Sequence, residues 1–83
     1  MTYKIKLHPK VEKFIKTSDR FIADKIKKRL NLLKEDPFRY LEHYEGEDCY
    51  KFRIGGYRAL VDVDKKLNIV FIQVLDKRGR IYK

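Results

Sequence analysis

The chain has 83 residues, 43% of them hydrophobic, and 21 lysines and arginines against 12 acidic residues give a formal net charge of +9. This length predicts one domain, residues 1–83, with a single core, and a lone cysteine excludes an intramolecular disulfide or a cysteine-based zinc site. Because the sequence shows neither a signal peptide nor a long apolar run, we expect a cytoplasmic protein without membrane contact, metal or cofactor. Its basic charge favours a polyanionic partner: RNA, DNA or an acidic protein.

The N-terminal residues predict a strand followed by a short helix. Apolar side chains alternate with lysines over residues 3–7, as in a strand with one buried face. His8 belongs to the junction, and Pro9 suits the first turn of a helix. Apolar residues at helical spacing then predict that this helix runs to about Lys16.

A second, longer helix is predicted after a cap at Ser18 or Asp19, and it must stop before Pro37. Its other face is basic and includes Lys28 and Arg29; this face is either solvated or a track for phosphates or an acidic partner. The predicted buried stripe consists of apolar residues at helical spacing, namely Phe21, Ile22, Ile26, Leu30 and Leu33, with Leu32 at its edge.

The C-terminal half predicts an antiparallel meander. Residues 38–48 are expected to form a connecting loop, and residues 69–72 are apolar on both faces, which predicts a central strand. A last short strand is possible over residues 80–83. The sequence therefore predicts an α+β fold: an N-terminal strand, two helices, then a meander packed on the helices. The loop is expected to be anchored by Phe38, Leu41 and Tyr44, and the strands to run at about Cys49–Ile54, Tyr57–Asp64 and Leu67–Leu75.

The hairpin between the first two meander strands carries the sharpest functional signal. A turn at Gly55-Gly56 places Arg53 opposite Arg58, with Lys51 on the same face by strand parity. Like charges directly opposite each other destabilise a strand pair. A chain that keeps two guanidinium groups there is expected to bind an anion between them.

The basic end of the chain supplies further candidates for contact with a nucleic acid. A cluster of cations with a tyrosine suits cleavage of RNA by its own 2′-hydroxyl, because the protein need only position the phosphate and stabilise its charge. Binding of RNA or DNA without catalysis remains open from these residues alone. The candidates at this end are Lys77, Arg78, Arg80, Tyr82 and Lys83.

Four stretches together resemble the RelE/ParE superfamily of type II toxins, and its RelE branch in particular. They are HPKVEKF at 8–14, DPF at 36–38, YKFRIGGYR at 50–58 and KRGRIY at 77–82. The resemblance implies a RelE-like fold and a toxin that enters the ribosomal A site and cleaves the messenger RNA there without a metal. It also implies two partners, a RelB-like antitoxin and a 70S-type ribosome with its messenger and ribosomal RNA.

The resemblance assigns the functional set to Lys51, Arg53, Arg58, Arg78 and Tyr82. It implies that Arg58 and Arg78 stabilise the pentacoordinate phosphate, that Arg78 is the general acid, and that Tyr82 orients or stacks on a base. Arg53 occupies a place where the best-studied branch of the family has a lysine that is sometimes assigned as general base. A guanidinium is a poor proton acceptor, so the base is Lys51 or Tyr82, or positioning alone suffices.

Lys77 stands where relatives commonly have a histidine, which removes an acid–base group. Two other functions stay open: a ParE-type toxin that binds DNA gyrase without catalysis, and an inactive RNA-binding member of the family.

Overall fold

The structure is a computed structural model that describes residues 2–43 and 49–77. The predicted contacts at Arg78, Arg80, Tyr82 and Lys83, the loop anchor Tyr44 and the possible strand over residues 80–83 lie outside the described residues. The elements in chain order are β1 (Lys4–Leu7), α1 (Pro9–Thr17), α2 (Arg20–Asn31), a 3₁₀ turn (Leu32–Lys34), α3 (Pro37–Tyr40), β2 (Glu42–His43), β3 (Tyr50–Ile54), β4 (Tyr57–Asp64) and β5 (Ile69–Lys77).

The described strands form one sheet in the order β1-β5-β4-β3-β2. The pairs from β2 to β5 are antiparallel, as the predicted meander requires. β1 joins the far edge parallel to β5, with Lys4 opposite Ile69 and Leu7 opposite Ile72. The apolar run of β5 thus lies between two strands, which confirms the prediction of a central strand.

The helices cover one face of the sheet and enclose the core. Their buried residues Val11, Ile15, Ile26 and Leu30 form one cluster with β-strand residues that include Phe52. Predicted helix starts are confirmed by their caps. Nδ1 of His8 accepts the Lys10 N–H at 3.1 Å, and Oδ1 of Asp19 accepts the Phe21 and Ile22 N–H groups at 2.9 and 3.3 Å. No helix within the described ranges is long and apolar enough to cross a membrane.

Phe21 does not belong to the buried stripe of α2, contrary to the sequence prediction. It is 77% exposed, whereas Ile26 is 1% exposed and Leu33 is fully buried. Asp19 caps the helix, so Phe21 falls in the first turn. Ile22 and Ala23 pack against the core from that turn instead, because the helical period turns Phe21 toward solvent.

The segment over residues 38–48, for which the sequence predicts a loop, is more regular in the part that the structure describes. Pro37 begins the short helix α3, and β2 then pairs with β3. Two residues are too few for an alternating pattern to be visible in the sequence. The anchor at Leu41 is confirmed, because Leu41 packs against the core. Phe38 is 37% exposed and outside the core, and its ring meets the Tyr50 ring edge-on at 5.6 Å.

The last turn of the meander is longer than predicted, so β5 begins at Ile69 rather than at Leu67. Oδ1 of Asp64 accepts the backbone N–H groups of Lys66 and Leu67, each at 3.0 Å. Asn68 then adopts a positive φ of 55°, a conformation that asparagine tolerates better than most residues. The side-chain cap therefore holds Leu67 in the turn, where it is 67% exposed.

Candidate functional site

The β3–β4 hairpin has the predicted register. Ile54 pairs with Tyr57, and Arg53 pairs with Arg58. Gly55 has a φ of 58°, which glycine adopts without penalty and which the first central position of a type II′ turn requires. The tight turn therefore fixes the two arginines opposite each other, on the sheet face away from the buried Phe52.

The strands on either side of the hairpin, β2 and β5, each place one acidic residue beside the cations Lys51, Arg53 and Arg58. On β5, Asp76 pairs with Arg58. On the other side β2 pairs with β3, which sets Glu42 opposite Lys51, and Oε2 of Glu42 lies 3.9 Å from Nζ of Lys51. Lys51 is the less exposed partner of this ion pair, with 29% of its side chain accessible against 79% for Glu42.

Arg29 reaches the same hairpin from α2. Its Nη2 donates a hydrogen bond of 3.1 Å to the backbone carbonyl of Arg53, and its Cζ lies 5.0 Å from the centre of the Phe52 ring. A guanidinium can combine stacking on an aromatic face with hydrogen bonding in its own plane. These two contacts fix Arg29 against β3 and bring a fourth cation to the site.

The cations meet in one small cavity of about 210 Å³. A phosphate group suits such a space, because arginine forks and a lysine can donate to its oxygens from several directions. The cavity is lined by Arg29, Tyr40, Glu42, Lys51, Arg53 and Arg58. It unites three of the residues predicted for catalysis with one predicted for RNA binding.

The remaining predicted residues are not part of this cavity. Lys28 is exposed on α2, and it does not line the cavity as its neighbour Arg29 does. Lys77 pairs with Tyr57, and strand parity therefore places it on the opposite face of the sheet from Arg58. Arg78 and Tyr82 lie outside the described residues, so their predicted roles stay predictions.

Tyr40 and Glu42 are not identifiable as site residues from the sequence. Both belong to the segment for which the sequence predicts a loop, and the acidic residues from Glu42 onward have the pattern of solvated surface. Tyr40 is the last residue of α3, and the place of Glu42 in the cavity depends on the short pairing of β2 with β3. A strand of two residues has no periodicity that could indicate this pairing.

A second cavity lies apart from the cationic cavity formed by Arg29, Lys51, Arg53 and Arg58. A larger open cavity of about 610 Å³ borders Asp62, Phe71 and Gln73, and it contains none of the predicted functional residues. The Gln73 amide donates to the Asp62 carboxylate there at 3.1 Å, so that carboxylate has a structural contact. Over residues 2–43 and 49–77, no group of three or more histidine, cysteine or acidic side chains could hold a metal ion.

Comparisons with known proteins agree with this architecture. A family model described as the ParE toxin of the type II toxin–antitoxin system parDE matches residues 5–82. No curated protein sequence matches the chain.

Solved structures match along nearly the whole chain. The archaeal RelE–RelB complex from Pyrococcus horikoshii OT3 contains a chain with a TM-score of 0.78 and 26% identity, covering 96% of this chain and 99% of that chain. A chain of the intact E. coli RelBE toxin–antitoxin complex matches with a TM-score of 0.75 and 25% identity, covering 94% of this chain and 99% of that chain. A chain of the RelBE2 toxin–antitoxin complex from Mycobacterium tuberculosis matches with a TM-score of 0.80 and 20% identity, covering 94% of this chain and 100% of that chain. This match shows a likeness of fold alone.

Proposed function

The chain belongs to the RelE/ParE superfamily of type II toxin–antitoxin toxins, and from this premise we propose that it is a ribosome-dependent endoribonuclease. It cleaves messenger RNA in the ribosomal A site and thereby inhibits translation. The observation that carries the proposal is the cavity of about 210 Å³ in which Arg29, Lys51, Arg53 and Arg58 converge. Four cations around one small space form a surface for a single phosphate.

The reaction suits a site of this composition. The 2′-hydroxyl of the RNA attacks the adjacent phosphorus in line with the 5′ oxygen, which leaves a cyclic phosphate and a 5′-hydroxyl. The protein has to align the two oxygens and stabilise the charge that accumulates on the pentacoordinate phosphate. Fixed guanidinium groups supply that stabilisation without a metal or cofactor.

The described residues divide between positioning and charge stabilisation. Arg58 lies between Arg53 on β3 and Asp76 on β5, and it is assigned to the equatorial phosphate oxygens. Arg29 is already bonded to the backbone of β3, so it acts as a fixed electrostatic contact. Beyond the described residues, Arg78 is assigned as the general acid and Tyr82 as the residue that stacks on or orients a base.

A RelB-like antitoxin is the proposed protein partner. The solved relatives from P. horikoshii and E. coli are complexes of a RelE toxin with a RelB antitoxin. The net charge of +9 suits both an acidic partner and ribosomal RNA. Action on the ribosome implies a location in the cytoplasm.

A gyrase-directed toxin is the second candidate, because the matching family model is described as ParE. The nuclease is favoured by the cationic cavity and by Arg78 and Tyr82, which complete the set of the RelE branch in the sequence. Inhibition of DNA supercoiling in a purified gyrase assay separates the two functions. A gyrase-directed toxin blocks supercoiling and leaves messenger RNA intact.

The decisive experiment is primer extension on messenger RNA in programmed ribosomes, with the wild-type protein and the Arg58→Ala and Arg78→Ala variants. We expect cuts confined to the A-site codon. Each variant should lower the cleavage rate by roughly 100-fold, as for a lost transition-state contact, while ribosome binding changes much less. Arg20→Ala removes an exposed arginine from the first turn of α2, away from the cavity, and is the matched control.

Uncut messenger RNA beside normal ribosome binding would refute the nuclease and favour an inactive RNA-binding protein. Loss of cleavage and of ribosome binding by the same factor in both variants would refute their role in the transition state. If the wild-type protein neither cuts nor binds ribosomes, inhibition of gyrase becomes the leading function.

A further inference from the structure

The proposed reaction needs a group that removes the 2′-hydroxyl proton, and Glu42 is the one carboxylate among the described residues that line the cationic cavity. We propose that Glu42 is the general base of the cleavage reaction. This inference rests on the proposed nuclease function and names the residue that starts its chemistry. It provides a proton acceptor in a site where an arginine, Arg53, stands in place of a lysine, and it is an alternative to Lys51 and Tyr82 as the base.

The other residues that line the cavity are unsuited to accept a proton. Guanidinium and ammonium groups are donors without an acceptor site, which applies to Arg29, Arg53, Arg58 and Lys51. Tyr40 offers a hydroxyl, which donates as well as accepts hydrogen bonds. A carboxylate, in contrast, accepts hydrogen bonds and protons directly and is a common general base in enzymes.

The negative charge of Glu42 in a site for a phosphate also needs a chemical explanation. A carboxylate repels a phosphate, so a site built only to bind an anion is weakened by a negative charge on its lining. Glu42 contacts the mostly buried Lys51 only loosely, because the ion pair is 3.9 Å wide and 79% of the Glu42 side chain is exposed. Proton transfer gives this carboxylate a function that anion binding does not.

The geometry leaves the carboxylate accessible to a substrate. The strand pairing holds Glu42 opposite Lys51 at the edge of the sheet. Its Oε2 is 3.9 Å from Nζ, whereas a charge-assisted hydrogen bond would bring the two atoms to about 2.7–2.9 Å. A ribose hydroxyl can therefore approach Glu42 from solvent while Lys51 and the arginines hold the adjacent phosphate.

The proton and bond changes balance without another reactant. The bond from O2′ to phosphorus forms as the Glu42 carboxylate takes the hydroxyl proton. The bond from phosphorus to O5′ breaks, and the leaving oxygen receives the proton that the proposed function assigns to Arg78. After product release, water removes the proton from Glu42 and restores the one on Arg78.

The test is single-turnover cleavage on programmed ribosomes with Glu42→Gln, Glu42→Asp, Lys51→Ala and the double variant Glu42→Gln/Lys51→Ala. The glutamine variant should cleave roughly 100-fold or more slowly, as for a lost general base, with ribosome binding retained. The aspartate variant, which keeps a carboxylate, should cleave faster than the glutamine variant. Glu12→Gln is the matched control, because Glu12 is also exposed and ion-paired, to Lys16 at 3.2 Å on α1.

The double variant separates a base from a residue that only positions Lys51. A base contacts the substrate itself, so Glu42→Gln should still lower the rate when residue 51 is alanine, although the two effects on neighbouring residues need not add. If its effect disappears in the alanine background, Glu42 acts through Lys51 and the inference is wrong. Cleavage by Glu42→Gln equal to that by Glu12→Gln would also overturn it.

Failure of the inference differs visibly from failure of the proposed function. If the wild-type protein and the glutamine variant cut the A-site codon equally, the nuclease stands and the base is another group. If the wild-type protein does not cut at all, the nuclease and its base are refuted together. Thermal unfolding of each variant checks that the change in rate is not a loss of folded protein.

Discussion

Replacing Arg53 by glutamine should make the protein more stable and less able to bind RNA. Arg53 and Arg58 are directly opposed on neighbouring strands, and Asp76 offsets the charge of Arg58 from the other side. Removing Arg53 therefore relieves a repulsion and leaves the pairing of Arg58 with Asp76. The backbone carbonyl of Arg53, which accepts from Arg29, is unaffected by the substitution.

The expected gain follows from the strand pairing. A cross-strand pair contributes about 0.2–1 kcal/mol, with like charges unfavourable. A domain of 60–100 residues gains about 4–8 °C in Tm for each kcal/mol, so the variant should melt about 1–8 °C higher. Because exposed charges are screened by salt, the gain should be largest at low ionic strength and nearly absent at about 1 M salt.

Urea and thermal unfolding of the purified proteins at both salt concentrations measure this gain. Lys13→Gln is the control, since Lys13 is exposed on α1 and also loses one positive charge. In parallel, affinity for a short RNA should fall, and the slope of log affinity against log salt should drop by about one phosphate contact. An Arg53→Gln protein that is no more stable than wild type at low salt, or equally stabilised at both salts, would refute the reasoning.

Two further predictions concern the hairpin turn and the core. Gly55→Ala should destabilise the protein by about 1–2 kcal/mol, because an alanine at a positive φ is strained. Gly56, which has open space around it, should accept alanine with little change. Urea unfolding of the two variants measures the difference. Ile26→Ala should cost about 2–5 kcal/mol as a cavity in a fully buried site, whereas Phe21→Ser should stay within about 0.5 kcal/mol of wild type. Equal losses for Ile26→Ala and Phe21→Ser would contradict the exposure of Phe21.

Local patterns in the sequence predict most of the fold. Apolar and polar residues alternate along β3 and β4, and a glycine pair joins the two strands. Together these features determine the register, because a shift by one residue would move every side chain to the other face of the sheet. The register of Arg53 with Arg58 is therefore predictable from the amino-acid sequence alone. Asp19 is also predictable as a helix cap, because the N–H group that its side chain accepts belongs to a residue just after it in the chain.

Features that depend on distant contacts could not be predicted in the same way. The approach of Arg29 to the Phe52 ring joins two elements through packing of α2 on β3, and the sequence indicates only that the helix face is basic. Glu42 belongs to a two-residue strand whose existence depends on its partner β3. The cavity therefore combines residues from a predictable hairpin with residues that tertiary contacts bring to it.

The pairing of β1 with β5 also affects how the protein folds. β5 lies between β1 and β4 and supplies Val70 and Ile72 to the core, yet it is the last of the described strands in chain order, whereas β1 is the first. Until these two strands meet, β1 has no neighbour in the described sheet and the apolar sides of the helices are only partly covered, and contacts between distant parts of a chain form slowly. The meeting of β1 and β5 is therefore expected to limit how fast the folded protein appears.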